Sequence, residues 1–438
     1  MPNETTPVEP KSGRRPWWIP PFLGRVPDLE PETMRTLALV SLGMMFEAYD
    51  LSLLTAALKH ISQDFGIPAA ELGVPLGWIR FGGVMAFFLL PFADRMGRRR
   101  VFLGTIAVMS IGTLATAFSQ TLEQFVVFQT LTRACLLTAS ATAFVMITEE
   151  FPAEHRGWGI GMAGALAAFG YGLGAMLFAA VDVLPYGWRA LYLVGALPLI
   201  FLPYFRREVR ETRRFQRHRL SADVDDSWRT WMKTPASLVR RSPLRAAVVA
   251  AAGFVSSFAT LPVFQFTSVH VQQAHGWVPW QYSLMFVVAG TMGIVGHMVA
   301  GRLGDRIGRR AVGCAAFVLY PIAAALFYNG PAWTLPVAWV GIVFFSSAGD
   351  VIVRAFTGEL FPTAQRAASA GWLVLFQSVG WMLGLWTMHG LVQASDDLPR
   401  VITLLSMGTV VAGLALLALP ETRSRELEVL NPEAEASA

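Results

Sequence analysis

Asp94-Arg95-Met96-Gly97-Arg98-Arg99 and Asp305-Arg306-Ile307-Gly308-Arg309-Arg310 are one motif written twice, and each copy lies between two long apolar runs. Other pairs keep the same separation to within one residue. Phe151-Pro152 returns as Phe361-Pro362, Arg156 as Arg366, Gly170 and Gly174 as Gly380 and Gly384, and Glu211-Thr212-Arg213 as Glu421-Thr422-Arg423. Collinear matches at one period mark an internal duplication. The chain therefore reads as two equivalent halves.

Of its 438 residues, 54% are hydrophobic and 15% charged, whereas about a quarter of a soluble protein is charged. Apolar runs near the length of a membrane span predict helices over 34–58, 70–92, 101–118, 122–147, 158–181 and 188–205. A second set is predicted over 246–268, 280–300, 311–329, 332–357, 368–391 and 400–419. Lipid offers no partner to backbone N–H and C=O groups, and the runs lack the alternation of a barrel, so they must be helices. The fold class is an all-α membrane protein of twelve transmembrane helices arranged as two six-helix repeats. The expected units are a tail over 1–33, a bundle over 34–205, a linker over 206–245, a bundle over 246–419 and a tail over 420–438.

Nearly all the basic residues are arginines beside span ends, crowded on one side of the predicted topology. Lys59, Arg189 and Arg400 are the exceptions. The positive-inside rule then places both termini in the cytoplasm, in a multi-pass inner-membrane protein. It also removes nucleic acid as a partner, because the basic residues orient the chain and meet lipid headgroups. Cys135 and Cys314 stand in separate apolar segments without metal-type spacing. Gly170, Gly172 and Gly174 sit inside a span with no preceding strand, so they read as helix packing, not a dinucleotide loop. No phosphate-binding Gly-x-x-x-x-Gly-Lys sequence and no partnered nucleophile is present, so neither an enzyme nor a bound cofactor is expected.

Two parallel six-helix halves suit a carrier that exposes a midplane site to each side in turn. On these motifs the chain resembles the major facilitator superfamily over nearly its whole length. The superfamily's loop signature is nearly complete at Gly301 to Arg310, while the first copy has Leu90 in the glycine position. Glu47-Ala48-Tyr49-Asp50, Gly187-Trp188-Arg189, Glu359-Leu360-Phe361-Pro362 and Pro420-Glu421-Thr422-Arg423 resemble the metabolite:proton and aromatic-acid:proton symporters, with sugar porters as near relatives. The Gly-Pro motif usual in the fifth helix of drug:proton antiporters is missing from Phe169-Gly170-Tyr171-Gly172-Leu173-Gly174. The resemblance implies a secondary transporter using protons to carry a small solute, and functional as a monomer.

An ionisable residue deep in a span costs at least about 2.5 kcal/mol and is by default a functional candidate. Glu47, Asp50, Arg80, Arg133, Asp350 and Arg354 are such residues. A helical rise of about 1.5 Å per residue puts Glu47, Asp50, Arg80 and Arg133 at a similar depth, roughly 12 to 16 Å from the outer end of their helices. A carboxylate that can gain or lose an arginine partner can be switched between protonated and ionised forms. In the symporters this chain resembles, an acid on helix one works with an arginine on helix four, which implies a proton-coupling role for Asp50 and Arg133, with Glu47 at the other acidic position. A static buried salt-bridge cluster is the competing reading. Asp350 and Arg354, four apart on one helix, can satisfy each other.

Arg80, Arg133, Gln265, Asp350, Gln377 and Trp381 are the candidate substrate contacts. Arginines favour a carboxylate, hence a small organic acid or zwitterion; glutamine and tryptophan keep a sugar or polyol open, and drug efflux is a further alternative. A cytoplasmic gate knitting the two halves together is expected from Asp94, Arg95, Arg98, Glu149 and Arg156 in the first half. Asp305, Arg306, Arg309, Glu359 and Arg366 are its counterparts in the second.

Overall fold

The computed structural model describes residues 27, 29–152, 155–220, 238–240, 242–361 and 366–423. In the first half the spans are α1 (Pro31–Ala56), α2 (Gly73–Met96), α3 (Arg98–Ala117), α4 (Leu122–Glu150), α5 (Arg156–Phe178) and α6 (Trp188–Glu208). In the second they are α7 (Pro243–Gln273), α8 (Pro279–Ile307), α9 (Arg309–Asn329), α10 (Leu335–Glu359), α11 (Arg366–Ser395) and α12 (Leu398–Leu416). Eleven of these are long and apolar enough to cross a membrane. The twelfth, α11, is long enough at 30 residues but carries Gln377, Ser378, His389 and Gln393, which dilute its apolar content. Several helices outrun the predicted apolar segments. α8 continues from the expected 300 to Ile307 and α4 from 147 to Glu150, because helical hydrogen bonding persists through the membrane interface where hydropathy falls. Arg213–Leu220, expected as linker, forms a short helix.

Three spans are interrupted, α12 at Met407 and two others beside a proline. Pro198 restarts α6 after Ala196 and Leu197, and Pro262 has no N–H to offer the Phe258 carbonyl just before α7 bends at Phe266. At the loop motifs, Gly97 (φ +101°) and Gly308 (φ +119°) each turn the chain in one residue between antiparallel helices, a conformation that side chains resist. The exposed N-terminus of the next helix is then capped by a distant carboxylate. Glu211 accepts from the Arg99 N–H at 3.3 Å, and Glu421 from the Arg309 N–H at 2.9 Å. These loops, the start of α1 and the ends of α6 and α12 lie on one face, here the terminal face; Arg35 and Glu208 (2.8 Å) tie α1 to α6 there.

Helix contacts repeat as well. A Cβ on Gly170 would lie 2.0 Å from the Met45 carbonyl oxygen of α1, and one on Gly380 would lie 2.4 Å from the Phe254 oxygen of α7, so α5 meets α1 as α11 meets α7. Packing across the halves is uneven in depth. One apolar core, from Leu53 and Phe178 through Phe266, Tyr282 and Trp339 to Leu385, is shared by both halves away from the terminal face. Toward the terminal face there are two separate cores, one around Phe102, Met146 and Phe205 and one around Phe317, Ile352 and Phe356. Hydrogen bonds between the halves follow the shared core: Gln265 to the Leu54 carbonyl (3.2 Å), Ser268 to the Ala56 carbonyl (2.5 Å) and Trp386 to the Val74 carbonyl (3.2 Å).

Candidate substrate and coupling site

The acids of α1 are three residues apart and share one face, buried at 7% (Glu47) and 3% (Asp50) exposure. Asp50 turns toward α3, where the Thr113 hydroxyl donates to it at 3.2 Å, while neighbouring Tyr49 donates to the Leu191 carbonyl at 2.8 Å. Glu47 faces Ser140 of α4. Arg133, on α4, lies within electrostatic range of both acids. Arg80 points elsewhere: its Nη2 donates to Gln265 Oε1 of α7 at 2.5 Å, and Gln265 in turn donates to α1. Among the described residues no ion pair within 4.0 Å joins Glu47 or Asp50 to either arginine, so the four charges at one depth do not form the compact cluster their depth suggests. The reason is direction around the helix axis: Thr113 draws Asp50 to α3, and Gln265 draws Arg80 to the opposite half.

Both guanidinium groups are nonetheless removed from water, Arg80 at 5% and Arg133 at 6% exposure. Arg80 Nε and Arg133 Nε and Nη1 are buried with no hydrogen-bond partner. The Tyr171 side chain of α5 stands near both, its ring 5.3 Å from that of Phe286 on α8. A buried, unsatisfied guanidinium is costly, and the chemistry that relieves it is an oxyanion.

Asp350, Gln377 and Trp381 lie apart from this cluster, lining a cavity of about 180 Å³ in the second half; Gln265 is not among its walls. Asp350 is satisfied on both oxygens, by Arg354 Nε at 2.6 Å and by Gln377 Nε2 at 3.3 Å. Ser256, Ser257 and Thr260 of α7, Ser346 and Ser347 of α10 and His297 of α8 complete the polar wall. His297 was legible, since an imidazole within the predicted span 280–300 is itself an intramembrane ionisable group; the reading of acids and arginines alone passes over it.

On the terminal face, Arg98 pairs with Glu149 (3.1 Å) and lies 4.9 Å over the Phe215 ring, and Thr212 donates to Glu149 at 2.5 Å. In the second half Arg309 pairs with Glu359 and with Asp305 (3.3 Å). These pairs run within each half, not between them, as two separate terminal-face cores require. Arg95 is half-buried and Arg306 exposed. The side chains of Asp94, Arg156 and Arg366 fall outside the described residues.

A family model, the Major Facilitator Superfamily, matches residues 40–301 and 266–436. The chain belongs to that superfamily: it is a multi-pass membrane transporter, not an enzyme. It is 26% identical to the niacin transporter NiaP of Acinetobacter baylyi, over 90% of this chain and 95% of that one. It is 25% identical to a gallate transporter of Pseudomonas putida, over 89% and 92%. Its fold is similar to that of the inward-open xylose transporter XylE of E. coli, with a TM-score of 0.71 and 16% identity over 92% of this chain and 99% of that one.

Proposed function

We propose that this protein is a proton-coupled symporter of a small organic acid, working by alternating access in the inner membrane with both termini in the cytoplasm. The observation that carries the reading is the pair of buried arginines, Arg80 and Arg133, which leave Arg80 Nε and Arg133 Nε and Nη1 without partners. A substrate carboxylate supplies the missing acceptors and charge. The aromatic acids named for the gallate and niacin relatives belong to the same chemical class. With the terminal face cytoplasmic, the shared core closes the outer side and the separate terminal-face cores leave the inner side open, an inward-facing carrier.

In this reading Asp50 and Glu47 carry the proton. Asp50 accepts from Thr113 and has no arginine within 4.0 Å; closing the inner side brings Arg133 into competition for it. The pairs Arg98–Glu149 and Arg309–Glu359 brace each half, and their network joins the halves only when the inner side closes. The test is pH recording from a weakly buffered suspension of de-energised cells pulsed with aromatic acids, dicarboxylates, betaines and sugars. Alkalinisation on an acid pulse, abolished in Asp50→Asn and Arg133→Gln, is expected. Its absence for every acid, in correctly inserted protein, rejects the reading. A sugar or polyol substrate is the second reading, supported by the hydroxyl-rich cavity around Gln377 and Trp381.

A further inference from the structure

His297 is a wall of the second-half cavity whose acceptor is both fixed and unspent. Its Nδ1 lies 2.9 Å from the Gly293 carbonyl oxygen, one turn back on α8. A carbonyl can only accept, so Nδ1 carries the proton and, in the neutral ring, Nε2 is left as a bare acceptor. The cavity's carboxylate offers nothing comparable, because Arg354 and Gln377 already occupy both Asp350 oxygens. Ser256 and Ser346 are turned back to the Gly253 and Val343 carbonyls. Phe317, Val353 and the Trp381 ring supply apolar surface among these groups. This combination suits a flat or cyclic body carrying a hydroxyl.

Two helices connect the cavity to the arginines, which lie outside its walls. Thr260 lines it, and Gln265, the partner of Arg80, is five residues further along the same helix, about 7.5 Å. On α11, Gln377 lines the cavity and its neighbour Ser378 packs against Gly83, three residues from Arg80 on α2.

We infer that His297 is the specificity-determining residue of a hydroxyl-recognition subsite: with the substrate carboxylate at Arg80 and Arg133, a ring hydroxyl donates its hydrogen to His297 Nε2. This rests on the organic-acid reading and adds to it that the acid carries a hydroxyl remote from its carboxylate. A site built to pair a hydroxyl discriminates strongly against the analogue lacking it, because its own polar group is then left unpaired.

The experiment is calorimetric titration of the full-length protein in nanodiscs with benzoate, 3-hydroxybenzoate, 4-hydroxybenzoate and xylose. Wild type is expected to bind at least one hydroxybenzoate about tenfold or more tighter than benzoate. His297→Ala should collapse that ratio to within about twofold, and His297→Gln, which keeps an sp² acceptor, should recover part of it. A ratio that survives in His297→Ala, or equal binding of all the acids by wild type with loss in Arg133→Gln, overturns the subsite and leaves the organic-acid reading standing. Failure of wild type to bind any acid removes both. Xylose binding lost in His297→Ala but indifferent to Arg133→Gln overturns the proposal in favour of a neutral polyol.

Discussion

The two halves are alike at their loops and unlike in their interiors. Gly97 and Gly308 turn the chain the same way, Arg98 and Arg309 reach equivalent glutamates, and Glu211 and Glu421 cap equivalent helices. Between the loops the charges diverge. The first half buries arginines without carboxylate partners, whereas the second closes Asp350 onto Arg354 and Gln377. Duplication kept what packing requires, and each bundle then acquired its own chemistry.

The sharpest way to break this contrast is to remove one arginine from each half. Arg133→Gln is expected to lower acid uptake into proteoliposomes by about a hundredfold or more, the cost of losing a buried charge-assisted contact. Arg354→Gln should cost only a few-fold, since its charge serves a neighbouring side chain. Comparable losses would erase the difference in role. Next in size, Gln265→Ala severs the bonds from α7 to Arg80 and to the Leu54 carbonyl. A hydrogen bond to a charged group contributes about 1.5–3 kcal/mol, so labelling of a cysteine placed at Ala69, buried in the shared core, by an impermeant reagent from outside should rise roughly tenfold or more; unchanged labelling would show that Gln265 does not hold the outer side closed.

The likeness of the loops is open to a gentler test. Gly97→Ala and Gly308→Ala should each destabilise by about 1–2 kcal/mol, read as matched falls in thermal unfolding temperature. Adding Glu211→Ala to the first should cost less than the sum of the singles, because the new Cβ meets that carboxylate. Smallest is a pH effect. Partial burial pushes the Glu421 carboxyl up, but the N–H groups of Arg309, Arg310, Arg423 and Thr422 pull it further down, below its ordinary 4.5. A carboxyl depressed on folding stabilises above its unfolded value and loses that stability as pH falls through the folded one. Thermal stability should therefore decline below pH 4.5, and Glu421→Gln should flatten the decline.

Much of this was legible. The repeat of Asp94–Arg99 at Asp305–Arg310 gave away the duplication, and the span positions followed from hydropathy because lipid permits only helices there. Span ends were less legible, since α4 and α8 stay helical after their apolar residues stop. Depth along a helix, which put Glu47, Asp50, Arg80 and Arg133 at one level, counts residues; azimuth, which sends Asp50 to Thr113 and Arg80 to Gln265, depends on partners more than sixty and more than a hundred residues away.

By itself, then, the sequence determined the membrane class, the two equivalent halves and the loop machinery, because each follows from local composition or from one stretch repeated. Tertiary structure alone decided which buried charges are paired, that the Arg98–Glu149 and Arg309–Glu359 bridges each lie within one half, and that, among the described residues, the halves share a core on one side only. Those depend on which helix faces meet, and a carrier must be able to change that arrangement without changing a residue.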